Sequence, residues 1–115
     1  MVNPYVPDAG DLVWLNFDPQ AGHEQAGFRP AVILSSKYFN LRSSVAFACP
    51  ISSKVKGYQF QVVLPLGLPV HGAVLCEHMR SLDWRVRNVA FLGRMPDDVL
   101  LQVRGVVRTI AGIPK

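Results

Sequence analysis

The pattern of apolar and polar positions changes character along this chain. Up to about residue 94 it consists of short apolar runs, rich in aromatic and β-branched residues and separated by glycine, proline and serine, which is how a succession of short strands reads. Asp11 to Phe17 (DLVWLNF) shows no polar face at helical spacing and predicts a first strand. Asp18-Pro19 opens a loop that reaches Phe28, kept flexible by Gly22 and Gly27 and longer than a tight hairpin needs. Pro30 to Leu34 is a continuous apolar run and predicts a buried second strand, with Arg29 held extended by the proline that follows it. Ser35 to Leu41 holds at most a short helical turn. Ser44 to Ile51 predicts a third strand, and Pro50 near its end implies an edge or a bulge where backbone groups are freed. Tyr58 to Leu64 alternates, with Tyr58, Phe60, Val62 and Leu64 facing inward and Gln59 and Gln61 facing out. After a turn-rich connection from Pro65 to Gly72, Ala73 to Cys76 is a short strand running into Glu77-His78-Met79-Arg80. Ser81 to Arg87 reads as a turn with one or two basic strand positions, and Val89 to Arg94 as a last short strand.

The C-terminal stretch differs. Pro96-Asp97-Asp98 sets a proline and two acids at a helix start, where negative charge complements the helix dipole. Val99, Leu100, Val103, Val106, Val107 and Ile110 then form one apolar stripe at helical spacing, stopped by Gly112 and Pro114. Five to seven short strands followed by one packed helix predict a mainly β domain: a small, strongly curved barrel or paired sheets, closed by the C-terminal helix.

Composition narrows the class. A chain of 115 residues, half of them hydrophobic and 17% charged, is a single folded domain rather than a disordered or fibrous segment. The net charge of +4 and isoelectric point near 9.4 favour a polyanionic partner. Cys49 and Cys76 both lie inside apolar runs and read as buried thiols of a reducing compartment. With no apolar core in Met1 to Gly10 and no run near the ~20 residues of a spanning helix, a cytoplasmic protein without membrane contact is expected.

Candidate chemistry centres on Arg29. Its planar fork can hold a phosphate through two oxygens and stabilise charge developing there, although an ion pair with a carboxylate would account for it equally well. Glu24, on the loop, can accept a proton. Ser52, just after the Pro50 kink, can aim a hydroxyl at a phosphate oxygen or simply stabilise a turn. His78 beside Glu77 is a second candidate base and would share a strand face with Cys76 if that segment is extended. His23, His71 and His78 make no zinc-ligand set, so neither metal nor cofactor is expected. Lys54, Lys56, Arg80, Arg85 and Arg87, interleaved with Trp14, Tyr58 and Trp84, suit a groove for single-stranded nucleic acid, the cations following the backbone while the rings stack on bases.

The residues themselves carry a resemblance that spans nearly the whole chain. Pro7-Asp8-Ala9-Gly10-Asp11-Leu12-Val13-Trp14, Phe17-Asp18-Pro19 and Gly22-His23-Glu24-Gln25-Ala26-Gly27-Phe28-Arg29-Pro30-Ala31-Val32-Ile33-Leu34-Ser35 resemble the MazF/PemK family of toxin endoribonucleases. Cys49-Pro50-Ile51-Ser52-Ser53, Lys56-Gly57-Tyr58 and Arg80-Ser81-Leu82-Asp83-Trp84-Arg85 follow in family order. The resemblance implies an SH3-like barrel with a C-terminal helix, of the kind shared by CcdB and PemK. It also implies a homodimer, metal-independent cleavage of single-stranded RNA at short sequences, and an antitoxin whose acidic tail occupies the RNA groove. The resemblance implies catalysis for Arg29 and Ser52; Glu24 is expected to act with them, and Trp14, Phe17, Gln25, Phe28 and His78 are expected to contact RNA beside the five basic residues above.

This chain departs from the family pattern at three points. Ser52 replaces a threonine, keeping the hydroxyl and losing a methyl group that restricts its rotamers. Phe28 stands where some members carry histidine, and Glu77-His78 where one branch has Asp-Gln. The implied reaction has the ribose 2′-hydroxyl attack the adjacent phosphate, leaving a 2′,3′-cyclic phosphate and a 5′-hydroxyl. A guanidinium is no proton acceptor, so Glu24 and His78 both stand as candidate bases. The alternative is a non-catalytic toxin of the same fold, similar to CcdB, that grips DNA gyrase. It would use the C-terminal helix, where Ala111-Gly112-Ile113 lacks the tryptophan of that subfamily.

Overall fold

A computed structural model describes residues 5–18 and 27–112. Among them run seven strands, β1 (Asp11–Asn16), β2 (Phe28–Ile33), β3 (Ala46–Ser52), β4 (Gln61–Val63), β5 (Ala73–Leu75), β6 (Arg80–Leu82) and β7 (Ala90–Arg94), and two helices, α1 (Lys37–Ser43) and α2 (Asp97–Ile110). All pairings are antiparallel, in the order β4-β5-β3-β2-β1-β7, with β6 also on β3. No ladder joins β4 to β7 among the described residues, so the hydrogen-bonded sheet is open rather than closed.

Both faces of the central strands are covered, as the two residue parities show. Leu12, Val32, Cys49 and Ile51 pack with Val62, Val74, Val99, Leu100 and Val103 beneath α2. Val13, Leu15, Ala31, Ile33 and Ala48 pack on the opposite side with Phe17, Leu82 and Trp84. Central strands buried on two faces read as unbroken apolar runs, which is why Ala31-Val32-Ile33 carries no alternation.

α2 lacks a side-chain N-cap, and Asp97 and Asp98 sit in its first turn. Its stripe is buried only in the first half: Val99, Leu100 and Val103 are inside, Val106 and Val107 are half-buried, and Ile110 is 43% exposed. The helix is anchored at one end and overhangs at the other. Leu101, off the stripe, is 66% exposed.

α1 is longer than the turn expected over Ser35 to Leu41, for two reasons the spacing alone does not reveal. Ser36 caps it, its hydroxyl accepting from Phe39 N at 3.2 Å. Asn40, fully buried, donates to Pro7 O at 2.8 Å and Ser35 O at 3.0 Å and accepts from Ser35 Oγ, while its carbonyl accepts from Trp84 Nε1 at 3.1 Å. This one residue ties the N-terminal arm, α1 and the β6–β7 turn. The Asp11 carboxylate does the same for the other end of β1, accepting from Tyr5 OH, Asp8 N and Arg94 Nη1 at 2.5, 2.9 and 2.7 Å.

Two segments expected as strands are shorter. Tyr58 to Phe60 lies outside β4, because Gly57 has φ +73° and Gln61 N bonds back to Tyr58 O at 3.0 Å, closing a turn. Cys76–His78 is a 3-10 turn, so the shared strand face foreseen for Cys76 and His78 does not form. Cys76 is buried while the backbone turn delivers His78 to the surface layer.

Cys49 and Cys76 are free and buried, as their apolar settings implied. Burial pushes the Cys76 thiol up to about 12, and the Cys49 thiol is raised by burial first and then by its neighbour. Both are expected to resist iodoacetamide at pH 8 in the native protein and to react on unfolding. An unfolded thiol ionises near ~8.5 whereas the folded one keeps its proton. Stability is therefore expected to be unaffected by these groups below that pH and to fall as pH rises toward 12. Urea titrations of the native protein and Cys76→Ala across this range, the variant showing a shallower decline, check the sign.

A polar cavity at the end of strand β3

The site grows from the way β3 is shared. On one side it pairs with β2 through Ala31↔Pro50, Val32↔Cys49 and Ile33↔Ala48. On the other it pairs first with β6, as far as Ala48↔Arg80, and then with β5, from Ile51↔Val74. Phe47 turns its backbone toward β2, accepting from Leu34 N and donating to Ser35 Oγ. Alternation then turns Pro50 to the far side, where the Cys76–His78 turn leaves the ladder. A residue without an N–H stands where no strand is present to receive one.

Two residues past the last β2–β3 pair, Arg29 and Ser52 fall opposite each other when the Ala31↔Pro50 register is continued. Both are half-buried. Ser52 also pairs with Ala73 of β5, and its hydroxyl accepts from Lys54 N at 3.1 Å. Gly72 holds this corner tight. With φ +122° and an added Cβ falling 2.0 Å from Ser52 O, it admits only glycine.

Ser52, Lys54, Lys56, Tyr58, Gln61 and His78 line, with Leu75, a cavity of about 290 Å³. Tyr58 OH donates to Glu77 Oε2 at 2.5 Å, and its pKa is pushed up to about 12, by burial first and by this carboxylate second. Glu77 is thus committed to the rim while its neighbour His78 faces the cavity. The 3-10 turn, rather than a strand, separates the two directions.

The other residues singled out from the sequence divide. Trp14 and Phe28 lie diagonally across the β1–β2 register, 41% and 46% exposed, rings parallel to 14° with centroids 6.2 Å apart. They continue the sheet face of Leu12 and Val32, whereas Arg29 continues that of Leu15 and Ala31, so platform and guanidinium stand on opposite faces of this ribbon. Phe17 is fully buried, with the Arg80 guanidinium 5.8 Å above its ring. It is floor rather than surface. Trp84 is likewise removed from any groove, 6% exposed and covered by Arg85.

Three of the basic residues already hold backbone. Arg80 donates to Phe17 O at 2.7 Å, Arg85 to Leu41 O at 3.3 Å, and Arg87 to Asn16 O at 3.2 Å and to Asp18 O. The Arg80 and Arg87 bonds hold the N-terminal root of the β1–β2 loop, and Gly27 N, donating to Asp18 Oδ1 at 2.8 Å, ties the C-terminal root to it. Glu24 and Gln25 lie outside the described residues. The chain's own reading missed Gln61, assigned to solvent, and its link to the cavity. Lys54-Val55-Lys56-Gly57 preceding it was the available signal of a loop needing support.

Residues 8–111 match the family model described as PemK-like, MazF-like toxin of type II toxin-antitoxin system. The chain belongs to the PemK/MazF toxin family. It is 38% identical over 112 residues to the endoribonuclease toxin MazF of Escherichia coli strain K12, covering 97% of this chain and all of that one. The crystal structure of MazF from Deinococcus radiodurans superposes with a TM-score of 0.92 at 54% identity, over 95% of this chain and 99% of the other. A MazE–MazF structure from the same organism gives 0.85 at 47%, over 96% and 99%. The mainly antiparallel sheet with its helices is thus an architecture this PemK/MazF chain shares with those MazF structures.

The two tryptophans are expected to differ in access. In acrylamide quenching, Trp14→Phe should leave only a shielded emitter (Trp84), whereas Trp84→Phe should leave a readily quenched one. Equal quenching in both variants would contradict the placement of the Trp14–Phe28 stack.

Proposed function

We propose that this chain is the toxin of a type II toxin–antitoxin pair, a sequence-specific endoribonuclease that cuts single-stranded messenger RNA and thereby halts translation and growth. The enzymatic class is supported by relatives that are named endoribonucleases. What supports the site is the Ala31↔Pro50 register, which when continued brings Arg29 toward Ser52, and the polar cavity that Ser52 lines with two lysines and a histidine. The gyrase-gripping alternative has no comparable support.

The ribose 2′-oxygen attacks the adjacent phosphorus and the bond to the 5′-oxygen breaks, giving a 2′,3′-cyclic phosphate and a 5′-hydroxyl. One proton leaves the 2′-hydroxyl and one reaches the departing oxygen. Arg29 grips two phosphate oxygens as negative charge accumulates on the phosphorane. Ser52, whose oxygen already accepts from Lys54 N, directs its own proton to a third. Lys54 and Lys56 hold neighbouring phosphates, while Trp14 and Phe28 offer a stacking surface for a base. Glu24 on the loop or His78 in the cavity takes the proton. Gln25 contacts RNA from the loop whose N-terminal root Arg80 and Arg87 brace, Arg85 contacts it from beside α1, where it donates to Leu41 O, and Phe17 acts through the guanidinium stacked above it. Cleavage without a metal ion is part of this proposal.

The fold is read as an SH3-like barrel in an open form, with no β4–β7 ladder among the described residues and α2 packed on the core that Leu12, Val32 and Val62 share. It forms one domain over residues 1–115, active in the cytoplasm. Among the described residues no helix is long and apolar enough to cross a membrane. The partners are an antitoxin with an acidic C-terminal segment, suited to the basic groove, and a second copy of the chain. The overhanging half of α2 supports the latter. Leu34, Phe47, Met79, Val107 and Ala111 line an apolar groove of about 600 Å³ on a face that no described residue covers.

Arg29→Lys is expected to fold and to bind single-stranded RNA nearly as the parent does, while cleaving it about 10²–10³-fold more slowly, the loss of one planar donor from the transition state. Ser52→Ala should lose less. The parent should cleave undiminished in EDTA and leave cyclic phosphate ends. Parent-rate cleavage by a folded Arg29→Lys protein would remove Arg29 from catalysis, and rescue of chelated enzyme by Zn²⁺ or Mg²⁺ would reverse the metal assignment. A Val107→Glu variant is expected to sediment as a monomer where the parent sediments as a dimer. A monomeric parent at micromolar concentration would refute the interface.

A further inference from the structure

Gln61 is the least expected member of the cavity lining. It opens β4 opposite Leu75 of β5, and its side chain turns back on the loop that precedes it instead of entering solvent. Oε1 accepts from Lys56 N at 2.9 Å and Gly57 N at 3.0 Å, and Nε2 donates to Lys54 O at 3.1 Å. One amide thus satisfies three backbone groups of a four-residue loop that has no ladder of its own. Gly57, with φ +73°, is the residue that lets the chain curl so that consecutive N–H groups point at a single oxygen.

The bonds run on from there. Lys54, held by its carbonyl, donates its N–H to Ser52 Oγ at 3.1 Å. Filling that acceptor site constrains the rotation of the Ser52 hydroxyl, whose proton is then the part left to meet a ligand. Through its place in β4, which is paired to β5, Gln61 connects a stiff sheet edge to both lysines and to Ser52.

We propose that Gln61 is a positioning residue for substrate. It fixes the loop so that Lys54, Lys56 and the Ser52 hydroxyl present one preformed phosphate subsite. The lysine side chains are long and exposed, and without a fixed backbone each would lose more freedom on gripping a phosphate. An amide fits this task better than a carboxylate. A glutamate would still accept from Lys56 and Gly57, but it would lose the donation to Lys54 O and set a negative charge beside the phosphates.

The inference rests on the reading of Lys54 and Lys56 as phosphate contacts, and the test separates the two. Binding of a single-stranded 2′-O-methyl oligoribonucleotide, which lacks the attacking hydroxyl, is measured against salt for the parent, Gln61→Leu, Lys54→Ala/Lys56→Ala and the triple variant. The lysine pair is expected to lower the slope of log affinity against log salt by about 1.4, two single-strand phosphate contacts. Gln61→Leu should lower the slope in the same direction and weaken binding about 5–30-fold, the equivalent of one to two neutral hydrogen bonds. The triple variant should bind no more weakly than the lysine pair. On cleavable RNA, KM should rise more than kcat falls. An unchanged slope in the lysine pair overturns the phosphate reading itself. A lysine effect with a parent-like slope in Gln61→Leu, or losses that add in the triple variant, overturns the positioning role alone. Should Gln61→Leu fail to fold, Gln61→Glu carries the test through amide exchange. Lys56 and Gly57 should stay protected while the Lys54/Lys56 contribution to the slope declines, and a parent-like slope there overturns the proposal.

Discussion

The structure depends on β3 being one strand with two different neighbours along one edge. β6 pairs with its first half and β5 with its second, and the chain between them leaves the ladder as a 3-10 turn. A change of partner in the middle of a strand would orphan a backbone N–H at the junction. Pro50, turned toward that side, has none to orphan. The interruption is therefore tolerated, and it opens the space into which His78 and the end of β3 project.

Around this junction the rest of the chain supplies rigidity by polar ties rather than by core volume alone. Asn40 and the Asp11 carboxylate are buried polar groups, and each is answered by several hydrogen bonds from distant segments. They fasten the N-terminal arm, α1 and β7 around β1 and β2. Arg80 and Arg87 fasten the N-terminal root of the β1–β2 loop in the same way, by donating to carbonyls. Basic residues in this fold thus have two employments: the exposed lysines of the Lys54–Lys56 loop face the cavity, while much of the arginine set braces backbone.

The elements that spacing made legible are those whose stability is local. The apolar run of β2, the strand at Asp11 and the start and stop of α2 appear close to where their residues place them, whereas the break expected at Pro50 does not occur, β3 running through it to Ser52. Their signals are sterics and burial within a few residues. The helix at Lys37–Ser43 and the shortness of β4 were poorly legible, because each is decided by a partner far away or by a side chain folding back: Asn40 against Pro7 and Trp84, and Gln61 against Lys54 to Gly57. Phe17 and Trp84 show the converse. An aromatic residue in a basic neighbourhood reads as a stacking surface, yet both rings are consumed by the second core.

By itself the sequence determined the class of the domain, its basic character, the buried thiols and, through residues strung from Pro7 to Arg85, the family. These follow from composition, periodicity and local backbone preference, which need no knowledge of what packs on what. The tertiary structure alone decided that β2 and β3 pair in the Ala31↔Pro50 register, whose continuation brings Arg29 toward Ser52, since register is a property of two strands and not of either. It also decided that Trp14 and Phe28 stack on the other face from Arg29, and that Gln61 serves the loop rather than the solvent. Each of these is a relation between segments. Alternation along one strand says which residues share a face, and only the neighbouring strand says what that face meets.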